Sequence, residues 1–434
     1  MKSYNIKKGH NLKLPGIPSL NINNILESEV ITFHPVRLKL FKIKLLIKIN
    51  DEVKVGTPLF YDKNNNDVLY TSSVSGIIQD IVYGKRRTVE SIVITNDKKY
   101  DSITFTDEIS KETLLHSGLW SLIRQKPFSK VPNSKSTPKS FFISTIPTEP
   151  FAPDYDFLFK HIDNYLQEGV DVLIKIFDCD INMAVTDNST FLNLENVNFY
   201  SFNKLHPSGN VGIQIHHIDP IKNASDTRWY LSLQDLNRIG SYFKNKTYEY
   251  HKYISIGGNG AEKPAYYKTL IGTPIKSMIQ NNNETRYISG DVLNGNEIAA
   301  DFSVDYYDEI LSIIKIDKER EFLGWLMPGL AKYSLSNTFL SSFISNNKSV
   351  LNTKLNGSVR TIIPMGNWDK VLPMNIFSEY LVKSILSKDI DMMENLGIYE
   401  VSPEDLALCS FVCQSKVEVS SIIQDGLDLM ESEL

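Results

Sequence analysis

Cysteine is scarce in this chain, with three residues (Cys179, Cys409 and Cys413) among 434. Three thiols cannot build a disulfide framework, which agrees with a reducing compartment. An iron–sulfur cluster or structural zinc needs four ligands, commonly from paired Cys-x-x-Cys spacings, so neither is expected from this chain alone. Also missing is any G-x-G-x-x-G fingerprint, and the glycine cluster GGNG (257–260) lacks the Gly-Lys-Ser/Thr ending of a phosphate loop. A nucleotide held in the standard way therefore has no sequence support. No window reaches the ~18 consecutive apolar residues of a membrane span, and the start MKSYNIKKGHNLKLPG lacks the apolar core of a secretory signal. A cytoplasmic location is expected. Excess charge is lacking too: 46 Lys and Arg stand against 51 Asp and Glu, a formal net charge of -5. Global attraction to nucleic acid is thereby excluded, while a local basic patch stays open.

What remains is a soluble, globular composition, 42% apolar and 11% aromatic, long enough for several domains. Residues 1–128 read as a β-rich domain. From Arg37 onward, β-branched and aromatic runs alternate with the turns NDEVKVGTP, KNNND and SVSG, the pattern of a small barrel or sandwich. A proline-containing stretch without apolar period, SKVPNSKSTPKS, predicts a linker over 129–140. Residues 141–252 look α/β: the strand FFIST, a helix carrying Phe157, Leu158, His161, Ile162, Tyr165 and Leu166 and closed by Gly169, then VDVLIKIF (170–177) as a buried strand. Residues 253–330 predict a small α+β module, and 331–372 a connecting segment that is partly β. Apolar residues at i, i+3 and i+4 predict a helical bundle over 373–434.

Three stretches invite a chemical reading. In SPEDLALCSFVC, Ser402 and Pro403 open a helix that places Cys409 and Cys413 on one face. A disulfide at that spacing would strain the helix, and two small buried side chains are the plainer reading. HPSGNVGIQIHHIDP (206–220) is the richest polar constellation. A metal site from His206, His216, His217 and Asp219 is one reading; turn formation and hydrogen bonding is the other, because adjacent histidines on a strand face opposite ways. In RLKLFKIKLLIK, Arg37, Lys39, Lys42 and Lys44 interleave with apolar residues. This fits a half-buried strand with a solvated face, or a basic surface that docks on a membrane-bound partner, extended by Lys85, Arg86 and Arg87.

NDEVKVGTPLFYDK…TSSVSGIIQDI resembles the barrel-sandwich fold of biotinyl and lipoyl carriers, with asparagines at the hairpin tip where a carrier lysine would stand. Along the whole chain, HPSGNVGIQIHHIDP, RYISGDVLNG (286–295), EREFLGWLMPG (319–329), IPMGNWDKVLPM (363–374) and EDLALCSFVCQSK (404–416) resemble the A-subunit family of bacterial Na⁺-translocating NADH:quinone oxidoreductases. The resemblance implies a multidomain α+β chain: an N-terminal barrel-sandwich hybrid, a Rossmann-like domain, a β-grasp-like module of the soluble-ligand-binding type, and a C-terminal helical bundle. It further implies a peripheral subunit on the cytoplasmic face of the inner membrane, beside the membrane-embedded B subunit, that assists ubiquinone binding. The complex uses NADH, flavins, iron–sulfur centres and ubiquinone; no cofactor or metal is expected on this chain. His206, His216 and Asp219 are then the quinone-proximal candidates, and Arg37, Lys39, Lys42 and Lys44 the docking candidates. Alternatives are an electron-input subunit like the C subunit of the Rnf complex, or a ligand-free docking scaffold.

Overall fold

The computed structural model describes residues 1–434 except 26–27, 39–41, 105–107, 280–283, 318–321, 325, 331, 334–338, 344–352, 356 and 434. Residues 30–96 form two small antiparallel sheets. Val30–Phe33, Val89–Asn96, Gly76–Tyr83 and Glu52–Val53 make one, and Ile43–Leu45, Pro58–Asp62 and Asn65–Thr71 the other. Alternation drives them together: Ile78, Ile92, Ile94, Leu59 and Phe60 are fully buried between the layers. At the carrier-like hairpin, Asn65 donates to the Pro132 carbonyl and Asp67 accepts from Ser134, which fastens the hairpin to the next domain.

That domain is built on a six-stranded sheet in the order Lys2–Tyr4, Asn198–Phe202, Asp180–Val185, Ser140–Ser144, Arg228–Tyr230, Arg124–Lys126. All neighbours are parallel except the last pair. Counted from Ser140–Ser144, the first strand is central, the second and third lie to one side and the fourth to the other. Strand order thus reverses between Ser140–Ser144 and Arg228–Tyr230, and ligands of open α/β sheets bind at the carboxyl ends beside such a reversal.

The segment 170–177, expected as a strand, is a helix, Leu166–Phe177. Its buried residues include Leu166, Gly169, Val170 and Leu173 at helical spacing, together with Val172, and the run is apolar enough that strand and helix read alike. The helix expected before it shrinks to one turn, Tyr155–Leu158. Gly169 closes nothing; it lies inside the helix and lets Leu233–Asn245 pack backbone against backbone. A Cβ on Gly169 would come within 2.5 Å of the Leu236 carbonyl oxygen, and one on Gly240 within 2.0 Å of that of Tyr165.

A third sheet runs Asn296–Ile298, Thr285–Ser289, Ile310–Lys315, His251–Gly257, Ala265–Leu270, Ser19–Asn24. The chain's first residues therefore supply an edge strand to each of the two later sheets, through Lys2–Tyr4 and Ser19–Asn24. Among the described residues of 331–372, no strand forms; two 3-10 turns and an extended stretch occupy the part expected to be partly β. Helices Ser378–Ser387, Ile390–Asn395, Ala407–Val412 and Val419–Ser432 follow. Their apolar core includes Leu381, Val382, Leu406 and Ile423 and is continuous with Phe142, Ile213, Ile215 and Tyr230 of the α/β domain. Cys409 and Cys413 are buried there as free thiols, and burial pushes the Cys409 thiol far above its ordinary range.

Because the Gly169–Gly240 crossing has no room for a side chain, Gly240→Val should cost about 3 kcal/mol through overpacking. Thermal unfolding of the variant checks this; an unchanged midpoint would show that the helices part at no cost.

Candidate functional site

In dinucleotide-binding sheets the first strand-to-helix turn holds the pyrophosphate on glycine-rich backbone at a helix N-terminus. Here that connection, 145–154, reads TIPTEPFAPD. It has no glycine, three prolines that offer no N–H, and a glutamate, and only one helical turn follows. The residues do not fit a nucleotide phosphate.

The crevice above these strand ends is instead lined by acids from three domains. Lys126, on the antiparallel edge strand and 1% exposed, donates to Glu404 at 2.9 Å. Burial raises the Glu404 carboxyl, yet Lys126 and Arg124 hold it below the ordinary range. The neighbouring Asp405 accepts from the backbone N–H and hydroxyl of Ser402, at 3.1 and 2.5 Å. Its carboxylate lies over Gly212, where a Cβ would come within 2.1 Å of Oδ2. Gly212 belongs to the first turn of helix Val211–Ile218, so the side chain of Asp405 packs against that turn in the space a Cβ would take. Burial pushes Asp405 and Asp291 up to about 6 and Glu149 up to about 7. Arg124, two residues from Lys126 on the same face, has its guanidinium 4.8 Å from the ring centres of both Tyr230 and Tyr307.

Three of the stretches that carry the family resemblance, 206–220, 286–295 and 404–416, meet here. Sequence reasoning missed Lys126, Arg124, Glu149 and Asp291, because isolated charges are normally solvated and carry no burial signal. It took Glu404 and Asp405 only as the first turn of a helix; the α-helix proper is the shorter Ala407–Val412.

The expected site residues do not converge. His206 precedes helix Val211–Ile218, and His216 and Asp219 lie at its far end, roughly 12 Å along an eight-residue helix. His206 is buried, and loss of water lowers it to about 4, so it is neutral. The Thr148 hydroxyl accepts from Gly209 N–H and lies 3.1 Å from His206 Nδ1. His206 Nε2 has no partner among the described residues. The adjacent His216 and His217 lie on a helix, not on the strand considered for them. His216 Nδ1 donates to Glu400 at 2.6 Å and its Nε2 accepts from Asn375 N–H, while His217 donates to the Pro373 carbonyl. Both rings stitch this helix to the C-terminal region. Asp219 accepts from both faces of the Arg228 fork, at 2.6 and 2.8 Å, and from Lys139. Although partial burial raises it, those bonds hold it below the usual carboxylate range. No group of three or more His, Cys, Asp or Glu among the described residues is placed to hold a metal ion.

Of the basic candidates, Lys44 is the exposed central residue of strand Ile43–Leu45, Lys42 is exposed just before it, and Lys39 lies outside the described residues. Arg37 is not on a strand. It sits in the 3-10 turn Pro35–Leu38, turned inward against Asp305 at 3.3 Å and Asp308 at 3.5 Å. The proline at the start of the turn and these acids redirect a residue that alternation alone places outward.

A carboxyl raised by burial binds its proton more tightly in the folded than in the unfolded chain. Stability from Glu149 is therefore complete below its unfolded value near 4.5 and is lost as pH rises through about 7. Between those limits the melting temperature of the unaltered chain should fall relative to Glu149→Gln; parallel curves would contradict the burial.

Sequence profiles of three domains match the chain: the NqrA N-terminal barrel-sandwich hybrid domain over residues 4–97, the NqrA second alpha/beta domain over 105–248, and the NQRA C-terminal domain over 253–300. The A subunit of the Na(+)-translocating NADH-quinone reductase of Haemophilus influenzae (strain PittEE) is 34% identical over 464 residues, covering 99% of each chain. That of Rhodopirellula baltica is 32% identical over 455 residues, covering 99% of this chain and 98% of the relative. Among solved structures, an NAD+-reducing [NiFe]-hydrogenase in the air-oxidized state covers 69% of this chain and 57% of its own, at 10% identity and a TM-score of 0.36. That likeness is too low to carry an argument. The chain belongs to the NqrA family, the A subunits of Na(+)-translocating NADH-quinone reductases.

Proposed function

We propose that this chain is a peripheral, cytoplasmic-face subunit of a membrane complex that couples NADH oxidation and ubiquinone reduction to Na⁺ export. It assists quinone binding beside the membrane-embedded B subunit and holds no redox cofactor of its own, so the isolated chain is not catalytic. In this reading the α/β domain is Rossmann-like and the C-terminal region a helical bundle, the domain limits being those read from the sequence. The observation that carries the proposal is the filled crevice: Asp405 lies over the helix end at Gly212, and a glycine-free, proline-rich turn with Glu149 stands where a phosphate would be bound. No helix among the described residues is long and apolar enough to cross a membrane, which supports a peripheral role.

The same crevice opposes an electron-input subunit of the Rnf type, which must hold flavin itself. Against a pure scaffold stands His206. It is neutral and buried, and its Nε2 has no partner among the described residues; in this reading that nitrogen carries the ring proton and is the donor that a quinone carbonyl requires at the end of an apolar slot. His216 and Asp219 act in this reading as positioning residues that hold the helix bearing the loop.

A water-soluble ubiquinone analogue titrated into the full-length chain should bind saturably, and His206→Ala should weaken that binding about tenfold, the loss of one good hydrogen bond. His216→Ala should lower the melting temperature with little change in affinity. No saturable binding, together with normal turnover of the complex carrying His206→Ala, would favour the scaffold.

A further inference from the structure

The hairpin that joins Gly76–Tyr83 to Val89–Asn96 turns on Lys85, Arg86, Arg87 and Thr88, all exposed. Thr88 N–H donates to the Lys85 carbonyl at 3.2 Å and Gly84 N–H to that of Thr88 at 2.8 Å, so Arg86 and Arg87 are the two central residues of the turn. Both are left-handed, with φ of 56° and 58°. A hairpin turn of that form ordinarily takes Asn-Gly, and two arginines there hold strained backbone for no gain in folding. None of the three cations has an ion pair among the described residues. From 81 to 89 there is no acid, and Glu90 lies at the base of the turn with its carboxylate over Gly84. Apolar side chains flank the same tip. The ladder shifts register between Val82 and Tyr83, and both are exposed, at 39% and 51%. Because Phe33 pairs with Ile92, the turn Pro35–Leu38 lies at this end of the sheet, and its Val36 is 48% exposed.

We propose that this tip, residues 82–88 with Val36, docks on an anionic phospholipid surface. Lys85, Arg86 and Arg87 meet headgroup phosphates, and Val36, Val82 and Tyr83 enter the boundary between headgroups and acyl chains. The proposal rests on the reading of this chain as a peripheral subunit and names the surface and the lipid chemistry that hold it there. Charge selects the occupant. The chain carries a net charge of -5, so an anionic bilayer repels it except through a local cluster of unpaired cations. Long basic side chains beside an aromatic and two valines match that layered surface, because their stems lie along apolar groups while the charges stay at the phosphates. An acidic protein would have to offer a hollow fitted to a narrow turn; a headgroup layer takes such a turn without one. Arginines at positions that Asn-Gly would fill with less strain mark a turn kept for its charge.

Sedimentation of the full-length chain with vesicles of phosphatidylglycerol and phosphatidylcholine in equal parts, and with phosphatidylcholine alone, tests this. Binding is expected to the mixed vesicles only and should weaken as salt is raised. Arg86→Asn with Arg87→Gly places the preferred pair in the turn, so the melting temperature should hold or rise. Affinity of that variant for mixed vesicles should fall about thirtyfold, the share of two cations at an anionic surface. Lys98→Gln with Lys99→Gln removes the same charge at the other end of strand Val89–Asn96 and should leave binding unchanged. Tyr83→Ser should weaken binding about fivefold at every salt concentration. No binding by the unaltered chain, equal loss from the two double variants or unchanged affinity in Tyr83→Ser would overturn the inference; partner subunits still recovered through a tag would leave the subunit reading intact. Loss of partner subunits from the detergent-solubilised complex by the turn variant, with vesicle binding unchanged, would assign the tip to an acidic protein and equally overturn it. Failure of the unaltered chain to recover any partner subunit would overturn both.

Discussion

The ion pair between Lys126 and Glu404 fixes much of the remaining architecture. An ammonium with 1% of its side chain exposed is tolerable only with a close counter-charge, and removal of one partner from such a pair typically costs several kcal/mol. Once the edge strand Arg124–Lys126 is in place, the C-terminal region must therefore bring Glu404 to it. Asp405, next in the chain, is then carried onto the first turn of helix Val211–Ile218, where Gly212 alone leaves space for it. His216 with Glu400 and His217 with the Pro373 carbonyl secure the far end of the same helix. The helix is thus held at both ends by the C-terminal region.

The reversal of strand order is present, but the turn that would wrap a phosphate is stiffened by three prolines and carries Glu149. Asp291 and Asp405 add acids nearby, all pushed upward by burial.

Much of the fold was legible because burial leaves a periodic trace. The short strands of the first domain, the third module and the helices Ser378–Ser387 and Val419–Ser432 follow from alternation of two or of 3.6 residues. Legibility failed where the trace was ambiguous or absent. Residues 170–177 are apolar on too many sides to choose between helix and strand, and the adjacent histidines at 216 and 217 gain their partners only from elements about 150 to 180 residues away. Arg37 is turned by a preceding proline and by acids some 270 residues on, and Lys2–Tyr4 and Ser19–Asn24 pair with strands far along the chain. The crevice was the least legible part, since a buried lysine such as Lys126 reads in sequence like any solvated one.

In the proposed function the chain's own side chains close this crevice to a flavin nucleotide. Titration of flavin mononucleotide into the purified full-length chain, followed by quenching of flavin fluorescence, addresses it directly. No saturable quenching and no flavin retained after gel filtration are expected. Stoichiometric binding, or a chain that emerges from purification with flavin attached, would contradict it.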